Sequence, residues 1–164
     1  MNGTFTTTRG AQVAIHTYTA PEFGWMATSH LVELPTQLLL VDTPLLADSA
    51  RDVLAYANSL GKSIAAVYIS HGHPDHFATA GIFDAPVYAL PSVADAVNAS
   101  GAEIRGGAYM LTGHQGIEAP AFPAIQHLAD TCEQTMDGVR MSFESIADAE
   151  TGSSSRSASL TKGS

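Results

Sequence analysis

The feature that most constrains the fold is an apolar run that leads directly into a cluster of histidines. Residues 66–70 are almost wholly apolar, and the run from His71 to His76 follows without a break. Residues 38–41 form a second apolar run, and residues 49–60 between the two runs carry their apolar side chains on one helical face. This order predicts a strand, a helix and a strand, and therefore a βαβ unit with parallel strands.

The ends of the helix in this unit are predicted from its polar residues. Ser49 and Asp52 stand in the positions of a capping box, and Gly61 follows the last apolar residue. Residues 12–18 and 28–34 are predicted to be earlier, half-buried strands. The histidine cluster would then lie at the carboxyl end of a parallel strand, where ligands bind in open α/β sheets.

The α/β alternation is predicted to continue after the cluster. Residues 86–90 resemble a short strand, and residues 92–100 a helix that ends at Gly101. The periodicity of residues 102–123 is weak, so this part is predicted to be a connecting region. A candidate strand near residues 125–129 precedes an Asp-Gly turn at Asp137, which leads into an alternating strand.

Composition excludes several classes of protein. The formal net charge is −9 with only 7 Lys and Arg among 164 residues, so a surface for nucleic acid is not expected. No apolar run reaches the roughly 18 residues of a membrane span. Residues 1–10 lack the basic start and apolar core of an export signal, which predicts a cytoplasmic protein. Cys132 is a single cysteine, which excludes an internal disulfide.

Two parts of the chain are distinguished by their composition. Residues 1–151 are predicted to be one domain, because their apolar patterning is continuous. Residues 152–164 contain six serines and a single large apolar residue, and are predicted to be a disordered tail. The abrupt change between the two parts suits a natural solvated terminus, and also suits a truncation or a shifted reading frame.

The cluster from His71 to His76 is predicted to bind metal. Imidazoles and a carboxylate suit zinc, and also iron or manganese. Two neighbouring histidines cannot saturate one tetrahedral ion, which leaves a position for an activated water, as catalytic sites do. The alternatives are a solvated histidine-rich loop and a fortuitous surface site.

The pattern H-x-H-x-D-H at the end of a strand, with Leu-Val-Asp-Thr ending at Thr43 upstream, resembles the metallo-β-lactamase superfamily. The resemblance implies an αββα sandwich (class α+β) with two metal ions, of which this chain would supply the N-terminal half to two-thirds. By resemblance, His71 and His73 would bind the first metal, and Asp75 and His76 the second. Asp42 would brace the metal loop by hydrogen bonds; a polar strand end is the alternative.

A third ligand for the first metal is expected from a later turn. The resemblance implies Glu150 there, because related alkyl sulfatases use glutamate and a carboxylate can bind zinc; an ordinary solvated glutamate is the alternative. His127 and His114 are weaker candidates for the same position. His16 and His30 lie within strand-like segments, where hydrogen-bonded structural histidines are expected.

The resemblance implies a hydrolase in which metal-bound hydroxide attacks an ester, amide, thioester, sulfate or phosphate bond of a small molecule. Asp75 would orient the nucleophile and pass on its proton. The later Asp and His of the family are missing, so the alternative is a non-catalytic metal-binding or partner-binding remnant. Exposed apolar surface is expected to allow self-association. Residues 21–26 are either an aromatic loop over the site or a satellite core cluster, with the second preferred.

Overall fold

The computed structural model describes residues 3–112, 123–129 and 131–145, and a seven-stranded sheet is its central element. The strands follow one another across the sheet in chain order. They are listed here with their bounds: β1 (Thr4–Arg9), β2 (Ala14–Thr19), β3 (Thr28–Glu33), β4 (Leu38–Val41), β5 (Ile64–Ile69), β6 (Val87–Ala89) and β7 (Gln126–His127).

The sheet has an antiparallel half and a parallel half. Strands β1 to β4 form an antiparallel meander, while β4, β5, β6 and β7 run parallel to one another. Parallel neighbours need a crossover, and the crossover from β4 to β5 is the helix α1 (Ala47–Ser59). The predicted βαβ unit is therefore confirmed. The carboxyl ends of β4 and β5 meet at one edge, where the chain continues into the histidine cluster.

Helix α1 begins earlier than predicted. Its N-cap is Leu46, which makes no capping hydrogen bond through its side chain, and Ser49 is buried within the first turn. The predicted capping box is wrong, because the helix and its buried residues begin at Ala47, which places Ser49 inside the helix. The predicted stop is confirmed: Gly61 follows the helix with a φ of 70°, a conformation that glycine adopts without steric cost.

The second long helix, α3 (Pro91–Thr112), continues far beyond its predicted end at Gly101. Gly101 is buried on the same face as Val93 and Val97, so it allows close packing and does not act as a stop. Packing of a buried face outweighs the roughly 1 kcal/mol that a glycine costs within a helix. The first part of the predicted connecting region is therefore helical.

One face of the sheet is covered by helices. Val53 of α1, Val97 of α3 and Phe77 of the short helix α2 (Pro74–Phe77) belong to one apolar cluster with the strands. The sheet contributes Leu38, Leu40 and Val67 to this cluster, all fully buried.

The other face of the sheet is covered by a β-hairpin. Strands β8 (Thr131–Met136) and β9 (Val139–Glu144) form a separate antiparallel pair around the turn at Asp137, as predicted for β9. Met141 and Phe143 of β9 pack against Leu39, Tyr68 and other residues of the first sheet. The described residues thus form three layers in the order helix, sheet and sheet. They correspond to the predicted mixed α/β sandwich.

Three strand predictions need correction. Strand β1 was not expected from the polar, Thr-rich N-terminus; it forms because Phe5 packs against Tyr18 and Tyr56. Strand β7 is shorter than predicted, and β8 was not predicted. Glu150, His114 and the predicted tail at residues 152–164 lie outside the described residues.

Candidate metal centre

The predicted metal ligands lie on a short loop and a single turn of helix after β5. His73 is the N-cap of α2, and Pro74 occupies its first position, where a missing N–H costs nothing. Two backbone contacts fix the loop: the N–H of His76 donates to the carbonyl of His73, and the N–H of Thr43 donates to the carbonyl of His76. The loop is therefore tied to the end of β4, where Asp42 lies.

Asp42 holds the centre of the site. It is 5% exposed and has a φ of 61°, a left-handed conformation that aspartate tolerates better than most residues. Its Oδ1 accepts the backbone N–H of Ser70 at 2.7 Å, and its Oδ2 accepts the hydroxyl of Ser70 at 2.7 Å. Oδ2 also lies 2.9 Å from Nδ1 of His76. One carboxylate therefore contacts both the residue before the histidine cluster and the last histidine of the cluster.

The structure brings three predicted histidine ligands together. The ring centroid of His71 lies 4.0 Å from that of His76 and 4.8 Å from that of His73. Asp75 joins the group through an oxygen 3.5 Å from Nε2 of His76. An oxygen of Asp42 and one nitrogen each of His71 and His76 all lie within 4.8 Å of one another, a spacing that could hold a metal ion.

The pKa values of His76 and Asp75 are shifted in opposite directions. Burial opposes the positive charge on His76, but hydrogen bonds and charge from Asp42 and Asp75 outweigh it and raise the pKa of His76 to about 9. Burial likewise opposes the charge on Asp75, but the neighbouring His76 and His73 leave its pKa lowered. Without metal, the site therefore holds a proton on His76 between two carboxylates, in the place where a cation would bind.

Asp42 could act as a ligand or as a brace for ligands. Its carboxylate oxygens already accept hydrogen bonds from Ser70 and His76. Carboxylates that accept the outer N–H of a metal-bound histidine usually orient that ligand. The bracing role expected from sequence needs hydrogen bonds of this kind, and it stays a prediction.

The other histidines of the described chain have different partners. His16 is 2% exposed and bonds to Thr7, Tyr56 and Glu33. His30 bonds to Thr17, and burial lowers its pKa. Both are structural strand histidines, as expected. His127 lies 2.9 Å from Asp95 on α3, outside the group of metal-binding atoms described above.

Ser70 was missed by the reasoning from sequence. The sequence indicates only that Ser70 ends a strand, whereas in the structure its side chain lies between Asp42 and His71. The available signal was its position, since a hydroxyl immediately before a ligand at a strand end can reach both neighbours.

The loop at residues 21–26 is not a satellite core cluster. Phe23, Trp25 and Met26 are 45%, 43% and 62% exposed, and the last two have left-handed backbones. The preferred prediction, that this loop is a satellite core cluster, is therefore wrong. No helix in the described part of the chain combines the length and apolar character needed to cross a membrane.

Comparison with protein families decides the identity of the fold. The family described as the metallo-beta-lactamase superfamily matches residues 23–127, which include β3 to β7 and the whole histidine cluster. The chain belongs to the metallo-β-lactamase superfamily. This is a superfamily of metal-dependent hydrolases, and its members typically bind metal ions; the donors at His71, His73, Asp75 and His76 suit such ions.

Solved structures of metallo-β-lactamases share the fold. The enzyme from Pontibacter korlensis aligns with a TM-score of 0.56 and 17% identity, over 85% of this chain and 60% of its own. The metallo-β-lactamase IND-7 aligns with a TM-score of 0.57 and 13% identity, over 85% of this chain and 59% of its own. The enzyme from Hirschia baltica aligns with a TM-score of 0.50 and 17% identity, over 86% of this chain and 60% of its own. The chain thus spans about 60% of the length of these relatives. No curated protein matches it.

Proposed function

We propose that this superfamily member is a zinc-dependent hydrolase that cleaves an ester, amide, thioester, sulfate or phosphate bond in a small molecule. The observation that carries the proposal is the grouping of Asp42, His71 and His76, with His73 beside His71 and Asp75 beside His76. Four potential donors lie within six residues, and the neighbouring carboxylate of Asp42 makes two hydrogen bonds to Ser70 and one to His76, which is more than a structural role requires.

Each residue has a proposed place. His71 and His73 would hold a first zinc ion, and Asp75 and His76 a second, with iron or manganese as alternatives. Glu150 is proposed to complete the first set. Zinc bound in such a site supplies an activated water and polarises the bond to be cleaved. The pKa of the half-buried carboxylate of Asp75 is lowered, so this group is ionised at neutral pH. We propose that it would orient that water and pass on its proton.

Hydrolysis is tested with one chromogenic substrate for each bond class. The purified chain is treated with chelator, then assayed with and without added Zn²⁺, Fe²⁺ or Mn²⁺. Turnover of at least one substrate is expected with metal and is expected to disappear with chelator. Metal binding without turnover of any substrate would contradict the hydrolase and favour the alternative of a metal-binding module.

Matched histidine variants distinguish the site from incidental metal binding. His71→Ala should abolish turnover because it removes a proposed ligand. His127→Ala should retain it, since the side chain of His127 is half exposed and paired with Asp95. Undiminished turnover in His71→Ala would place the activity outside the proposed site.

The remaining expectations stay predictions. A small-molecule substrate fits the hydrolase superfamily, and a cytoplasmic location is predicted from the sequence. Self-association is proposed through exposed apolar side chains, of which Met110 and Leu111 near the end of α3 are each 85% exposed. Light scattering on the purified chain would measure its mass in solution.

A further inference from the structure

Ser70 stands between the buried carboxylate and the first predicted ligand. Its hydroxyl oxygen lies 2.7 Å from Oδ2 of Asp42 and 2.9 Å from Nδ1 of His71. Its backbone N–H donates separately to Oδ1 of Asp42 at 2.7 Å. Ser70 therefore has two bonds to the carboxylate and one to the ring.

The single proton of the hydroxyl fixes the direction of these bonds. An ionised carboxylate can only accept, so the short contact with Asp42 uses the hydroxyl proton of Ser70. The oxygen of Ser70 can then only accept from its other neighbour. Nδ1 of His71 must be the donor in that contact, and it must therefore carry a proton.

A neutral imidazole that is protonated on Nδ1 has its lone pair on Nε2. The nitrogen that binds a metal is set by the hydrogen bond that the other nitrogen makes. His76 follows the same rule, because its Nδ1 lies 2.9 Å from the carboxylate of Asp42. Both rings thus present Nε2 as the metal-binding nitrogen.

We propose that Ser70 is a positioning residue. Its hydroxyl group connects the carboxylate of Asp42 to His71 by two hydrogen bonds, a relay that holds the imidazole of His71 with Nδ1 protonated. Asp42 then orients histidines of both proposed metal positions, His76 directly and His71 through Ser70. This inference rests on the proposed metal-binding function, which it deepens by assigning how the first ligand is oriented.

The test compares Ser70→Ala with Ser70→Thr. Alanine keeps the backbone N–H to Asp42 and removes only the relay, whereas threonine keeps the hydroxyl. Zinc affinity is measured by competition with a chromophoric chelator, and the protonated nitrogen of His71 is identified by ¹⁵N NMR of the metal-free protein. Loss of an outer partner of a ligand typically weakens metal binding roughly 10- to 100-fold. That loss is expected for alanine, whereas threonine should keep the affinity of the wild type because it keeps the hydroxyl group.

The results of these measurements distinguish a failure of the relay from a failure of the proposed metal-binding function. If the wild type binds no zinc, the proposed function fails. If it binds zinc and the alanine variant binds equally well, the relay alone is wrong. Should the alanine variant not fold, the wild-type NMR spectrum still decides: a proton on Nδ1 of His71 supports the relay, and a proton on Nε2 overturns it.

Discussion

Replacing Asp42 by asparagine should reduce the pH dependence of stability between pH 6.5 and 9. Asparagine keeps the size of the side chain and tolerates the left-handed φ of 61°, so the backbone is preserved. The substitution removes the charge that, together with Asp75, raises the pKa of His76 from 6.5 to about 9. The metal-free protein is the relevant state, because the proton on His76 occupies the proposed cation position.

The magnitude follows from the pKa of His76. A histidine whose pKa is raised in the folded state adds stability in full below its unfolded value, and this contribution is lost as pH rises through the folded value. A shift from 6.5 to about 9 corresponds to about 3 kcal/mol. The free energy of unfolding should therefore fall by about that amount between pH 6.5 and 9, and Asp42→Asn should make this fall smaller, because only the contribution of Asp75 remains.

Urea unfolding in the presence of chelator, at several values of pH across this window, measures the effect. Asp48→Asn is the matched control, because Asp48 is 95% exposed and makes only an i,i+3 pair with Arg51. Burial also raises the pKa of Cys132, but this contribution is the same in all three proteins and cancels in the comparison. An Asp42→Asn variant with the slope of the wild type would refute the role of Asp42 as the charge partner of His76.

Three further predictions follow from the same structure. Zinc binding at pH 7 should release a proton from His76, and this release should vanish above about pH 9. Calorimetry in buffers of different ionisation enthalpy measures the number of protons released. A release that does not change with pH would contradict the prediction. Phe77→Ala should cost about 3–5 kcal/mol, because the ring is fully buried beside the metal loop; a loss under about 1 kcal/mol in urea unfolding would show that the loop is not anchored there. Gly61→Ala should lower the free energy of unfolding by about 1 kcal/mol because of the positive φ of Gly61. Gly106→Ala within α3 should stabilise the protein, because a Cβ there meets no neighbouring atom. The melting temperatures of the two variants test this difference.

The parallel half of the sheet could be predicted from sequence because its strands are short, continuous apolar runs. Residues 38–41 match β4 in full, and the helix between β4 and β5 has a clear apolar face. Strand β1 could not be predicted in this way. Its residues are mostly exposed threonines, and its place depends on tertiary contacts such as the packing of Phe5 against Tyr18 and Tyr56, which are distant in sequence.

The end of α3 shows the limit of local signals. Gly101 resembles a helix stop in sequence, but its burial against the sheet side of the helix makes it a packing residue. The site divides in the same way. The ligand cluster is a local pattern and could be read directly, whereas the relay through Ser70 depends on Asp42, which β4 brings beside β5.

The most direct test of the central claim is the metal stoichiometry of the purified chain. Plasma spectrometry after reconstitution with zinc and removal of free metal should find at least one ion per chain in the wild type. It should find a clear loss in His73→Ala, with His127→Ala unchanged. A wild type without bound metal, or the same stoichiometry in the His73→Ala variant, would contradict the assignment of this loop as the metal centre.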